Sequence, residues 1–438
     1  MRTNQFLSRT AAVAVAVGIG ANSALAGGFF VREQGALGQG ASFAGAGAST
    51  ALSAMFMNSA AVTSLDGMNA DSSLSAILPE AKFTATSSSF PGANQSTEIG
   101  VDAYVPASYL NYQFKNFDKN LYFGLGVNSA FGLKTEPNRT WAGSTVGAST
   151  RLFTVNFNPT LGYKLSDKIS VGVGAQFEYA KGVFKFATGS PAGPATFYEG
   201  DSMAVGATAG VMFTPSEATR IGLGWRSQVT HELDGHFATG SSTIGGGLFA
   251  AGVKSKVDLR LPDIVNLSLV QAVAPNVRVM ATVEWTNWAR FGGLEVVSDS
   301  TGNVITKAGP GNPTGAVVPG SSIAKISGAW EDGWFFSGGF EYDVNKQLTV
   351  RAGGAYEISP ITKATERITS IPDADRIWAS LGFSYNLNHA TTIDFGYSHV
   401  FVDEAKIDRL NVTETNFIKA DLDASVDIIS LGVRMKLN

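Results

Sequence analysis

The sequence predicts an all-β protein: a 14-stranded antiparallel transmembrane β-barrel whose lumen is plugged by a small, partly helical N-terminal hatch. Three observations predict it. From about Ser73 to Asn438 apolar residues alternate with small or polar ones. A Gly-, Ala- and Ser-rich stretch from Gly27 to Gly67 comes before them and keeps no such period. The expected connections between strands alternate in length, short and then long, as in outer-membrane barrels.

The chain opens with Arg2 and Arg9 in a polar start, an apolar run from Ala11 to Ala21, and then Ala24-Leu25-Ala26. A positive leader, a short apolar core and a small-x-small site make residues 1–26 a secretory signal cut after Ala26. A spanning helix would need roughly 20 strongly apolar residues, and no later run approaches that. Removal of Arg2 and Arg9 with the signal moves the net charge from −4 to −6, so there is no basic footprint for nucleic acid. The absence of Cys rules out disulfides, thiolate metal sites and Cys nucleophiles. A secreted chain with strong alternation and no spanning helix points to the outer membrane of a Gram-negative bacterium.

Residues 27–70 are expected to form the hatch. Its large apolar residues Phe29, Phe30, Leu37, Phe43, Met55, Phe56 and Met57 are too numerous for a disordered linker, yet too scattered to build a core alone. One short helix is expected, near Ala48 to Phe56, and the glycines permit close backbone approach.

Residues 71–438 are expected to form the barrel. In Ile169 to Ala180, Val171, Val173, Ala175, Phe177 and Tyr179 oppose Ser170, Gly172, Gly174, Gln176 and Glu178. The same alternation runs through Leu121 to Asn128, Arg376 to Leu387 and Ile429 to Asn438. Strands are expected at 73–87, 101–115, 120–133, 149–165, 168–187, 201–214, 218–237, 254–272, 276–289, 329–343, 347–358, 376–387, 391–404 and 421–438. The short connections, such as Ser166–Asp167, then share the periplasmic side with both termini. The long ones, at 88–100, 134–148, 188–200, 238–253, 290–328, 359–375 and 405–420, face outward.

The third strand breaks the pattern. Continuing its register past Val127 would turn Ser129 and Phe131 outward and put polar Ser129 in lipid, which is costly. A bulge or inward kink across Asn128, Ser129 and Gly132 relieves this.

No catalytic constellation emerges, so no enzyme activity, cofactor or metal is expected. His231 and His236, five residues apart, fall on opposite strand faces, as do Ser398 and His399, which disfavours a metal pair or a Ser-His lipase. Gly35, Gly38 and Gly40 lack the strand and Lys-Ser/Thr of a phosphate loop. Asp373, Asp375 and Arg376 read as an ionic cluster at a loop-to-strand junction.

The segments LYFGLGVNSAFGLKTEPNRTWAG (Leu121 to Gly143), TLGYKLSDKISVGVGAQFEYAKGVFKF (Thr160 to Phe186), WRSQVTHELDG, RLPDIVNLSL, VEWTNWARF, RAGGAYEISPI and above all SIPDADRIWASLGFSY occur in this order. They resemble the FadL family of outer-membrane transporters of long-chain fatty acids and related hydrocarbons. The resemblance also covers the mature start GGFF and the Gly-rich plug. It implies a passive transporter: ligand reaches an apolar pocket and leaves sideways through a gap at a kinked third strand. The implied ligand residues are Lys185 with its neighbour Phe186, Lys325 and, at the lower end of the pocket, Phe29. The family's Asn-Pro-Ala hatch motif stands here as Asn58-Ser59-Ala60. Two further departures are the short loop at 188–200 and a final Asn438 where an aromatic is usual. The expected partners are fatty acids or hydrocarbons, together with outer-membrane lipid and lipopolysaccharide around a monomer. A general porin for polar solutes and a surface receptor or adhesin are the alternatives.

Overall fold

The computed structural model describes residues 27–187, 189–239, 253–299, 320–411 and 414–437. The expected signal at 1–26, the crests of the loops at 238–253 and 290–328, and Asn438 lie outside the described residues.

Among the described residues, twenty-one strand segments form one closed antiparallel sheet of fourteen staves. The first stave is Met68–Ser88, and the second comprises Ser96–Glu98 and Ala103–Gln113. The third comprises Leu121–Asn128 and Gly132–Thr135. Ser149–Lys164, Ile169–Ala187 and Ala195–Ser216 follow as the fourth to sixth. Each of the next four is made of two pieces: Thr219–Arg226 with Val229–Thr239, Val253–Leu261 with Ile264–Ala274, Val277–Thr286 with Gly293–Ser298, and Ser322–Ser327 with Gly333–Asp343. Leu348–Ile358, Arg376–Asn386, Thr391–Val402 with Ala405–Leu410, and Phe417–Lys436 complete the ring. Closure is direct: the first stave pairs with the last from Asn69↔Lys436 to Ser88↔Ile418.

Several boundaries differ from expectation, mostly at the outer end. The sixth stave begins at Ala195 and not at 201, which shortens the preceding loop. The ninth breaks after Thr286 into a 3-10 turn at Trp288–Arg290. Gly292 and Gly293, at φ +64° and +88°, then restart it, and such angles interrupt strand geometry where glycine supplies them. The tenth gains Ser322–Ser327 from within the expected long loop.

Face selection follows the bilayer. Leu161, Val173, Met203, Val205, Leu381 and Leu431 stand exposed on the outside, while Thr154, Asn156, Gln176, Asn266, Ser380 and Ser430 are buried inside. This inside-out pattern suits a wall between lipid and a polar lumen.

The hatch fills that lumen. It is less α-helical than expected, with one α-turn at Ala36–Gln39 and 3-10 turns at Ala46–Ala48, Leu52–Phe56 and Ser59–Thr63. Segments this short gain little from helix cooperativity, so the wall, and not propensity, holds them. Two glycines show how closely. A Cβ on Gly210 would lie 1.9 Å from the Asn58 side-chain oxygen, and one on Gly224 would lie 1.8 Å from the Met57 carbonyl. Only a bare backbone on the inner face of staves six and seven leaves room for the hatch.

Candidate ligand passage beside the hatch

Pairing between the second and third staves stops at Ser108↔Val127. Beyond it Gly132–Thr135 has the fourth stave as its strand partner, from Gly132↔Phe153 to Thr135↔Thr150, and among the described residues no strand pairs with Ala103–Ala107 on that side. The third stave has turned inward, and Asn128, Ser129, Ala130, Phe131 and Gly132 are all buried. The hatch takes over the lost pairing. Val31 N donates to Ala130 O at 2.8 Å and Gly132 N to Phe29 O at 3.1 Å. The Gln34 amide donates to Ser129 O at 2.6 Å. The Ser129 hydroxyl, which a straight strand would present to lipid, instead donates to Thr154 O at 2.6 Å.

Against this kink the Phe29 ring sits in an aromatic cage. Trp288 lies 4.6 Å from it, Phe291 5.4 Å, Phe131 6.0 Å and Trp330 6.2 Å between centroids, all edge to face. Phe29 is 1% exposed. Edge-to-face pairs at such distances are favourable beyond simple burial, by about 0.5–1.5 kcal/mol each. The walls come from distant stretches of chain: the kink, the turn at Trp288–Arg290, and Trp330 ahead of the tenth stave's inner piece.

A buried ionic cluster anchors the start of the hatch. Gly27 N donates to Glu357 Oε1 at 3.0 Å and Gly28 N to Asp373 Oδ2 at 2.9 Å. Arg32 bridges Glu357 at 2.5 Å and Glu284 at 2.9 Å, and Arg376 pairs with Asp373. The Asp373–Arg376 cluster therefore forms as expected, whereas Asp375 turns aside to accept from Tyr356 Oη and Ser359 N. Beside the cluster, burial pushes the Glu33 carboxyl up to about 7.

The hatch motif rivets to the opposite wall. Asn58 donates to Gly47 O at 2.8 Å and Val211 O at 3.0 Å, and accepts from Ala60 N at 3.0 Å. The Ser59 hydroxyl donates to Thr208 Oγ1 at 2.7 Å.

Two expected ligand residues are placed otherwise. Lys185 is exposed, because period 2 turns it to the outer face while Phe184 and Phe186 point in. Phe186 faces the lumen, 6.4 Å from Phe237, on the wall of a core cluster that also contains Phe29. Lys325 stands at the outer rim, its ammonium 3.7 Å from Glu295 and 62% exposed. Neither lysine reaches the cage. The histidines and Ser398 fall as expected: His231 and Ser398 are buried inside, while His236 is exposed and His399 is turned outward. The cage residues Trp288, Phe291 and Trp330 were not foreseen, since the sequence carries no signal that these three distant residues converge.

A closed fourteen-stave barrel with an internal hatch is the architecture of an outer-membrane channel. The chain belongs to the family described as outer membrane protein transport protein (OMPP1/FadL/TodX), whose model matches residues 17–437. It is 26% identical over 434 residues to the long-chain fatty acid transport protein of Escherichia coli O6:H1, covering 90% of this chain and 91% of the relative. It is 25% identical over 325 residues to outer membrane protein P1 of Haemophilus influenzae, covering 65% and 66%. In fold it is similar to a Pseudomonas aeruginosa FadL homologue, with a TM-score of 0.82 at 21% identity over 94% of this chain and 100% of the other. It is also similar to the P. putida toluene transporter TodX, with a TM-score of 0.65 at 14% identity over 91% and 97%. It is an outer-membrane protein of the Gram-negative envelope.

Proposed function

We propose that the protein carries hydrophobic compounds, long-chain fatty acids or related hydrocarbons, passively across the outer membrane, through the cage now occupied by Phe29 and sideways out at the third stave. The observation that carries this reading is the meeting of two features at one place. The wall loses its pairing at Ala103–Ala107, and an aromatic cage, filled by a hatch side chain, takes one of its walls, Phe131, from the kinked stave itself. A ligand of similar shape could replace the Phe29 ring without exposing the cage to water. It could then reach lipid through a segment whose strand pairing is already broken, so that no sheet hydrogen bonds need break. Residues 1–26 act in this reading as the secretory signal, and 27–70 as the hatch of a barrel working as a monomer amid lipid and lipopolysaccharide. A general porin is disfavoured because the hatch occupies the lumen.

The test is uptake. Cells lacking their own fatty-acid transporter, supplied with this protein, should gain uptake of a labelled long-chain fatty acid or of toluene, and should not gain permeability to a polar sugar. Gain of sugar permeability alone would favour the porin.

A further inference from the structure

At the base of the unpaired segment lies a group of buried polar atoms that the passage of a pure hydrocarbon would not use. Asn128 is 2% exposed, yet among the described residues its side chain finds no hydrogen-bond partner beyond the Tyr109 hydroxyl. The Tyr109 hydroxyl, 3% exposed, meets only Asn128, and the side-chain oxygen of fully buried Asn156 is unpartnered. Asn128 and Asn156 are direct cross-strand neighbours, and Tyr109 sits one register step away opposite Gly126. Gly126 lets Tyr109 and Asn128 lie close against the wall: a Cβ there would lie 3.2 Å from the Tyr109 ring and 3.4 Å from Asn128 Nδ2. Unsatisfied buried groups cost roughly 1–3 kcal/mol each, so several in one spot mark a place that something polar fills.

Neighbouring charges are already engaged. Arg226 donates to Gln176 Oε1 at 2.5 Å and Phe56 O at 3.1 Å, Glu178 accepts from Asn156 Nδ2 at 3.1 Å and faces His231, and Asp71 accepts from Ser53 N at 2.9 Å. What remains is neutral and mixed: amide N–H donors, two amide oxygens, and a hydroxyl that can do either. Such a set matches a group that both donates and accepts, and is poorly matched to a bare carboxylate. Phe131, a wall of the Phe29 cage, is only three residues from Asn128, so one chain molecule can touch both.

We infer that Asn128, Tyr109 and Asn156 form a head-group niche for the neutral, protonated carboxyl of a long-chain acid on its way to the opening. The inference rests on the transport reading above. An acid leaving into hydrocarbon must give up its charge, because an ionised carboxylate there is far more costly. The acid takes its proton from solvent before entry. In the niche its O–H donates to Asn128 or Asn156 Oδ1, and its C=O accepts from Asn128 Nδ2 or Tyr109 Oη. The head is thus held uncharged at the threshold.

The test uses the full mature protein in detergent micelles with a long-chain acid labelled with 13C at the carboxyl, followed by NMR from pH 5 to 9. The bound acid should titrate at least one pH unit higher than the same acid in empty micelles. Tyr109→Phe, which removes only a hydroxyl, should narrow that gap, and Asn128→Leu should abolish it. Asn128→Leu should also weaken acid binding about ten-fold, as expected for one or two lost hydrogen bonds, while leaving the alkane of equal length unaffected. A carboxyl that titrates as in empty micelles, as it would were the niche filled only by ordered water, overturns the niche while leaving transport intact. Equal losses for acid and alkane also overturn it, since they signal packing. Failure of the wild-type protein to bind either compound would remove the transport reading and the niche with it.

Discussion

The backbone amide of Val31 donates to the carbonyl of Ala130 at 2.8 Å, so a hatch residue holds the third stave where the second stave should. The bond ties two events together. The peptide groups of the bent stave are satisfied from inside the lumen, and the hatch takes part of its hold on the wall from the bent stave. The Phe30–Phe131 bridge and the Gly132–Phe29 bond extend the same exchange.

Removing residues 27–67 should leave a barrel that still folds, because the sheet closes on itself from Asn69↔Lys436. Planar-bilayer recording should then show a large, steady ionic conductance that the intact protein lacks. A milder version is Gly210→Val, whose added carbons would strike Asn58. It should raise conductance without preventing insertion, and silence from both variants would mean the hatch does not seal the lumen.

Hatch docking should weaken as pH rises. The Glu33 carboxyl titrates near 7 when docked, against the usual value of 4.5, because burial outweighs Arg32 and Arg376, and Glu357 adds to the rise. A raised carboxyl binds its proton more tightly in the docked state. Docking is therefore favoured fully below about 4.5, and the advantage is lost as pH climbs from there to about 7. Amide hydrogen exchange across 29–39 should be faster at pH 8 than at pH 5 after correction for intrinsic rates. Glu33→Gln should flatten the difference, and an unchanged pH profile in that variant would assign the effect elsewhere.

Lys185→Ala should change the affinity for a long-chain acid less than two-fold, and by no more than for an alkane, since the ammonium stands outside the barrel. Isothermal titration of both ligands decides it. A ten-fold loss confined to the acid would restore Lys185 as a ligand residue.

How far these features were legible varies by their range along the chain. Stave faces were legible because alternation is local: Val171 to Tyr179 against Ser170 to Glu178 needs no knowledge of neighbours. The same rule, applied to Phe184-Lys185-Phe186, already turns Lys185 away from the lumen, against the role the family resemblance implied for it. The kink was legible from Ser129 alone, since a hydroxyl aimed at lipid is a local contradiction. The cage was not, because Phe29, Phe131, Trp288 and Trp330 meet only through barrel closure. Nor was the purpose of Gly210 and Gly224, read as generic lumen residues, until the hatch backbone was seen against them.

The central claim is sideways exit at the third stave, and one measurement addresses it most directly. Ser129–Gly132 replaced by Val-Thr-Val-Thr should draw the strand straight, because these residues favour extended pairing, and a crystal structure would verify renewed pairing with Ala103–Ala107. Uptake of a labelled long-chain fatty acid by cells carrying that variant should then fall at least ten-fold, and by clearly more than any loss of equilibrium binding that follows from taking Phe131 out of the cage. Undiminished uptake through a barrel shown to be straight would contradict the account.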